Sequence, residues 1–328
     1  MANRNASPSA FGWDFQVNAA IILMLENIKE TKSVRIEGKD DDIEIELNDK
    51  SKIYAQAKSF VNPFDTNNVI KQLTGALKTL NDDAKNDDVS LLTYITNSSN
   101  PFNNVRTLQA FLGLTHLYYN ELPKPCKDKI NEIIKKKKYT SIDTSKLDIR
   151  VLPFYGKDDK NKYKIVKAYI SDIISDFNIT DNGISQSIME IWQQDYFHNA
   201  TKPNTDIKLS KENLIWPLIV LVVDNVVNTD YIKELSDDQY SEVNEKYKLI
   251  INNKTLRFDL IAKVMTDYQK SKYNNYRDFT NSVWKDYLPE INSIDADDLI
   301  KETLIKIIIY KILQKHRCIT TIKKEVNL

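Results

Sequence analysis

Apolar positions along this chain change their spacing three times within the first hundred residues, and each change predicts an element. From Trp13 to about Lys29, Phe15, Ala19, Ile22, Leu23 and Leu25 recur at helical spacing, which predicts an amphipathic helix. Three short alternating segments follow, Ser33 to Gly38, Asp42 to Leu47 and Lys52 to Ser59, separated by charged or Asn-Asp turns. They predict an antiparallel meander. A second helix is expected from Asn68 to Leu80, with Val69, Leu73, Ala76, Leu77 and Leu80 on one face and Asn67 or Asp65 as its cap. The run Val89 to Thr96 then reads as a buried strand, so strand, crossover helix and strand make a right-handed parallel unit. Helical segments near Val105 to Tyr119 and Lys127 to Lys137 lead to one more strand, Leu147 to Leu152.

After Tyr155 the charged stretch Gly156-Lys157-Asp158-Asp159-Lys160 opens a region of helical patterns, near Tyr163 to Phe177, Ile184 to Phe197, Lys211 to Val226, Phe258 to Lys270, Tyr276 to Tyr287 and Ala296 to Lys315. No fixed repeat relates them. The expected organisation is an α/β N-terminal domain over residues 1–155, a mixed sheet flanked by helices, followed by a mostly α-helical C-terminal domain over 156–328. Leu214 to Val223 and Ile305 to Leu313 are apolar all round, as helices buried in a core or an interface are.

Composition narrows the function classes. The 328 residues are 41% hydrophobic and 28% charged, the balance of a folded, non-disordered chain. With 46 basic and 46 acidic residues the net charge is zero, so any DNA binding has to come from a local patch. Cys126 and Cys318 are far apart and suggest neither a disulfide framework nor a zinc site. Met1 to Phe11 lacks an apolar core of signal-peptide length, and Leu214 to Val227 is too short for a membrane span and contains Asp224. A cytoplasmic protein is expected.

The chemistry concentrates in Glu37-Gly38-Lys39-Asp40-Asp41-Asp42-Ile43-Glu44 and in Tyr54-Ala55-Gln56-Ala57-Lys58. Ile43, Ile45 and Leu47 share one face of their strand, as do Ile53, Ala55 and Ala57 of the next. With the turn centred on Lys50, Ile45 faces Ala55, and the same register puts Asp42 opposite Lys58 and Glu44 opposite Gln56 on the face turned away from that apolar layer. Alternation from Val34 and Ile36 sends Glu37 to that side too. A hard divalent cation takes oxygen ligands, which Asp42, Glu37 and Gln56 offer. An adjacent ammonium, Lys58, can orient a nucleophile and offset charge on a phosphorane. The plainer reading is a half-exposed strand pair with a cross-strand ion pair. The three histidines, His116, His198 and His316, sit in no metal-ligand pattern, and Lys135 to Lys138 reads as a solvated helix end or a phosphate contact.

Residues Gly12 to Ser98 resemble the PD-(D/E)XK nucleases of the restriction-endonuclease-like fold, specifically the Mrr-like and CD-NTase-associated effector type of bacterial anti-phage systems. The features are a G-x-x-[FY]-[EQ] helix at Gly12-Trp13-Asp14-Phe15-Gln16, an E-G-x-x-D-[IV] segment at Glu37-Gly38 with Asp42-Ile43, a Q-x-K strand at Gln56-Ala57-Lys58, and a strand ending in Thr96-Asn97-Ser98. The resemblance implies cleavage of double-stranded DNA with Mg²⁺, or Mn²⁺ in its place. It puts Asp42 and Gln56 at the metal, Lys58 beside the attacking water, and Glu37 and Gln16 in support. The Glu37 to Asp42 spacing is slightly long for the pattern, which leaves Asp41 as an alternative ligand. Lys71 and Asn97, following active-site strands in the inferred fold, are the expected DNA contacts. Nucleases of this type are often gated by an attached sensor or a partner such as an SMC-like ATPase, and the helical half is expected to oligomerise or bind such a partner. The alternative is a nuclease-like fold serving as a non-catalytic DNA-binding or scaffold subunit.

Overall fold

A computed structural model describes residues 7–39, 41–155, 159–226, 231–233, 235–252 and 254–328. Outside them lie six N-terminal residues, Asp40 of the acidic turn, Gly156, Lys157 and Asp158 at the expected boundary, and Val227. The chain forms two compact units, one of Met1–Asp176, Ser185–Leu214 and Val326–Leu328, the other of Phe177–Ile184 and Ile215–Glu325.

The first unit opens with α1 (Ser7–Glu26), then β1 (Thr31–Ile36), β2 (Ile43–Leu47) and β3 (Lys52–Lys58) as the expected antiparallel meander. The helix α2 (Val69–Asp83) crosses to β4 (Val89–Thr96), which pairs parallel to β3. Next come β5 (Thr115–Tyr118), α3 (Lys124–Lys137) and β6 (Leu147–Val151), with β6 parallel to β4 and β5 antiparallel to β6. After α4 (Asp159–Lys162), α5 (Lys164–Asp176) and α6 (Ile184–Ala200), the two-residue β7 (Leu209–Ser210) pairs with β1. The result is a mixed seven-stranded sheet in the order β5-β6-β4-β3-β2-β1-β7.

Strand alternation sorts side chains to the two faces. On one, Tyr54, Leu92, Tyr94, Leu147, Ile149 and Val151 form a core with Leu73, Ala76, Leu77 and Leu80 of α2 and Ile130 and Ile133 of α3. Against the other face lies α1, which meets β1, β2 and β3 and also α5. That sandwich changes the character of α1: every residue from Phe15 to Leu25 is buried, so the helix is not the amphipathic one expected. Its buried polar groups are satisfied individually. Asn18 donates to Asp14 O at 2.8 Å and accepts from Gln193 Nε2 at 2.8 Å, tying α1 to α6.

Three local expectations need correction. The α2 cap is neither Asn67 nor Asp65 but Asn68, in the left-handed region at φ 65° and without a side-chain cap bond; Asp65 Oδ1 instead accepts from Asn67 N at 2.8 Å within the loop. The stretch expected to be helical near Val105 to Tyr119 is a 3-10 turn over Val105–Phe111 followed by β5. Four residues are too few for period 2 to show. The first unit also extends beyond 155. Tyr163 donates to both Asp14 carboxylate oxygens, at 3.0 and 2.9 Å, and Val166, Ile170 and Ile174 of α5 are buried. Burial of these faces, not the charge run at 156–160, decides which unit α5 and α6 join.

The second unit holds most of α7 (Lys211–Asp224), then α8 (Asp237–Asn252), α9 (Lys254–Lys270), α10 (Tyr276–Tyr287), α11 (Asp298–Gln314) and α12 (His316–Glu325). The sequence reading did not anticipate α8. Ile215, Leu218, Ile219 and Val222 of α7, and Ile305, Ile309, Ile312 and Leu313 of α11, are buried. The two all-round apolar runs are thus spent in core. Among the described residues no helix is long and apolar enough to cross a membrane.

Candidate active site

The hairpin between β2 and β3 turns one residue earlier than the sequence suggests, which shifts the cross-strand pairs by two. Leu47 N donates to Ser51 O at 2.8 Å, Lys50 takes φ 73°, and Asp49 Oδ1 accepts from Ser51 N at 2.9 Å and Ser51 Oγ at 2.6 Å. A three-residue turn with a left-handed last position and a side-chain-bonded Asp is favourable locally, so the turn centres on Asp49 rather than Lys50. Ile43 therefore faces Ala55, Glu44 faces Tyr54 and Ile45 faces Ile53. A slip of two residues leaves every side chain on its expected face, because strand alternation has a period of two. Only the pairs change.

Asp42 and Lys58 consequently meet on a diagonal. Lys58 Nζ lies 3.0 Å from Asp42 Oδ2, and the same oxygen accepts from Ala57 N at 3.0 Å. Both side chains keep partial solvent access. The Asp42 backbone is held from two sides: its carbonyl accepts from Gln16 Nε2 and from Glu37 N, each at 2.8 Å. Gln16 reaches it from α1 and is itself buried.

Asp41 occupies the deeper position and Gln56 lies beside it, with 6% and 4% of their surface exposed. Asp41 Oδ1 accepts from Asp42 N at 2.6 Å and from Gln56 Nε2. Burial, and then the charge and hydrogen bond of Asp83, push the Asp41 carboxyl well above its ordinary range, while the Gln56 bond pulls it down. Two carboxyls in hydrogen-bond contact require a proton or a cation between them. Asp41 Oδ2 is buried and meets no donor apart from any proton that Asp83 carries. Asp83, the last residue of α2, was absent from the sequence reading. It lies 42 residues from Asp41 at the end of a helix, and no spacing links them.

The remaining predicted residues divide. Glu37 lies outside β1 with φ 50°, so the turn and not strand alternation sets its side chain. Burial holds the Arg35 guanidinium below its ordinary pKa, an effect that the charges of Glu44 and then Glu37 oppose. Glu44 is packed against Gly38, so a side chain at 38 would displace its carboxylate. Lys71 is exposed in the first turn of α2. Asn97 is buried and its amide is full: Oδ1 accepts from Phe60 N at 2.7 Å, and Nδ2 donates to Phe60 O at 2.8 Å and Phe154 O at 3.0 Å. It is a latch between loops and does not offer itself to DNA.

A second polar cluster lies on the other face. Asp148, fully buried, accepts from Arg150 Nε at 2.9 Å, and its carboxylate lies 2.7 Å from His116 Nε2; Arg150 also pairs with Glu26 of α1. In sequence His116 sits in no metal-ligand pattern. Here it fastens the edge strand β5 to β6, while Arg150 carries the link on to α1.

Among the described residues no group of three or more His, Cys, Asp or Glu side chains stands arranged to hold a metal. The available donors are two adjacent carboxylates and an amide. Comparison with protein families, with curated proteins and with solved structures returned no match.

Proposed function

We propose that this protein is a metal-dependent DNA endonuclease of the PD-(D/E)XK class with a restriction-endonuclease-like first unit. The observation that carries the reading is the Lys58–Asp42 contact at 3.0 Å beside the buried Asp41–Gln56 pair, on strands that also bear the family's motifs. Mg²⁺, with Mn²⁺ as a substitute, would be held by Asp42, by the donor-poor Oδ2 of Asp41, and by Gln56 once its amide turns to present oxygen. One or two carboxylates with water completing the shell is the usual Mg²⁺ arrangement. The metal supplies Lewis acidity and a water of lowered pKa.

The chain's own groups do the rest. The Lys58 ammonium orients the attacking water and stabilises negative charge growing on the phosphoryl oxygens. Gln16 and the Glu37 N–H fix the Asp42 backbone so that its carboxylate keeps its aim. Exposed Lys71 offers a phosphate contact that positions the duplex without reading sequence. Attachment to a bacterial anti-phage system, and a homo-oligomer or a regulatory partner such as an SMC-like ATPase, belong to the same proposal. The apolar runs of α7 and α11, being buried, no longer argue for such contacts.

One observation favours the alternative of a non-catalytic DNA-binding or scaffold subunit: Asp42 Oδ2 is already engaged by Lys58 and Ala57 N, as in a structural ion pair. Plasmid cleavage in Mg²⁺ and Mn²⁺ separates the two. Lys58→Ala and Asp42→Ala should each lower the rate by on the order of 10²-fold or more. DNA affinity should change little, because it is spread over many phosphates. Melting curves check folding, and direct Mn²⁺ binding guards against an enzyme silenced for want of its partner. Full activity in a folded Lys58→Ala protein overturns the mechanism.

A further inference from the structure

The three parallel strands β3, β4 and β6 end at the same edge of the sheet, at Lys58, Thr96 and Val151. The loops that follow are joined to one another there. Asn97 bonds Phe60 on one side and Phe154 on the other, Ser99 N donates to Pro63 O at 3.1 Å, and Leu152 N donates to Thr96 O at 2.9 Å. Asn62 Oδ1 accepts from Phe64 N at 3.1 Å and shapes the tip of the first loop.

Loops so well fastened would be expected to turn apolar side chains inward, yet these turn them out. Val61 is 66% exposed, Phe64 64% and Tyr155 44%. Phe64 and Tyr155 meet edge to face, with ring centroids 5.5 Å apart at 64°. In that arrangement the ring presenting its edge keeps both faces clear of its partner. Phe64 is six residues beyond Lys58 and five short of the start of α2, whose first turn exposes Lys71. An aromatic pair thus lies on the two loops that follow β3 and β6 and that the buried Asn97 amide ties together, with Phe64 between Lys58 and Lys71 in sequence.

We propose that Phe64 and Tyr155 form a stacking platform for an unpaired base of the nucleic-acid strand whose backbone is engaged at Lys58 and Asp42; this rests on reading that site as one for phosphodiester hydrolysis. A nucleobase suits the platform because it offers a flat π surface without any required pattern of hydrogen-bond groups. The neighbouring lysine supplies the anion recognition that the same strand needs. The substrate class is narrowed accordingly to DNA with an unstacked nucleotide beside the scissile bond, as at an end, nick or flap, in preference to continuous blunt duplex.

The test uses the full-length chain in Ca²⁺, with short labelled DNA probes that are blunt or carry an unpaired overhang containing a fluorescent adenine analogue. The wild type should bind the overhang probe more tightly than the blunt one and quench the analogue by stacking. Phe64→Ala with Tyr155→Ala should weaken overhang binding by about tenfold, abolish the quenching and leave blunt binding unchanged. Phe64→Trp should retain the quenching. Val105→Ala, at an exposed apolar position on another loop, is the control and should have no effect. Wild-type binding without quenching, or equal loss on both probes, overturns the platform; the latter outcome would mark the patch as a protein-docking or structural surface. Quenching with neither Mn²⁺ binding nor cleavage of the overhang probe in Mg²⁺ would leave the platform standing and remove the nuclease reading, whereas cleavage without quenching does the reverse. The loss of both removes both.

Discussion

Arg35→Met should destabilise the first unit by about 4 kcal/mol, through groups that lie far away in sequence. The guanidinium is 1% exposed, with Nη1 donating to Asn199 O at 2.6 Å and Ile207 O at 3.1 Å, and Nη2 to Lys202 O at 2.9 Å. A hydrogen bond from a charged group contributes about 1.5–3 kcal/mol, and three on one side chain do not add fully. Methionine preserves most of the packing volume but removes three charge-assisted hydrogen bonds, although Asn199 O still accepts from Lys202 N at 3.1 Å and Ile207 O from Asn199 Nδ2 at 2.8 Å. It also leaves Glu44 and Glu37 without the countercharge they face. Removing one side of a buried charged arrangement costs about 3–5 kcal/mol, which brackets the estimate. For a unit of this size the melting temperature should fall by roughly 10 °C. Arg35→Lys should fall in between, since an ammonium is a point donor and cannot reproduce the fork. Hydrogen exchange of the β1 and β2 amides, read beside thermal melting, assigns the effect to this unit. A loss below about 1 kcal/mol, or a Lys variant as stable as wild type, would refute the reasoning and with it the placement of 199–207 beside β1.

Glu46 accepts from Lys208 at 2.6 Å and Lys32 at 2.7 Å, and these bonds lower its pKa to about 2. A lowered folded-state value means that the stabilisation is present above the ordinary carboxylate range and is lost as the pH falls toward about 2. Glu46→Gln should therefore cost on the order of 1–2 kcal/mol at neutral pH and flatten the acid limb of the stability curve, and an unchanged acid limb in urea titrations would count against the pairing. Asn97→Ala should cost about 2–3 kcal/mol and speed hydrogen exchange at Phe60, with the loss concentrated in the loops after β3 and β6; uniform exchange across the sheet would argue against a local latch.

How much of this was legible in advance differs by scale. The meander and the crossover to β4 follow from period changes that neighbouring residues impose on one another, and they appear where expected, whereas the first helix, expected from Trp13 to about Lys29, runs from Ser7 to Glu26. The common face of Asp42, Gln56 and Lys58 is equally local. It survived a wrong turn centre because a two-residue slip cannot invert a strand. Which residues touch is another matter. The turn at Asn48–Lys50 moved Asp42 from facing Lys58 to a diagonal contact with it. The partners of Asp41 and Arg35 come from residue 83 and residues 199–207, brought in by α2 and by the return of the chain along β1. Likewise His116 acquires meaning only beside Asp148 and Arg150, on a strand too short to announce itself. The sequence by itself determined the meander, α2 and β4 and the faces of those strands, since these depend on periodicity within a few residues. The partners, the depth of Asp41, the filled amide of Asn97 and the extent of the first unit were decided by the tertiary structure, since burial and contact are properties of segments that meet only once the chain is packed.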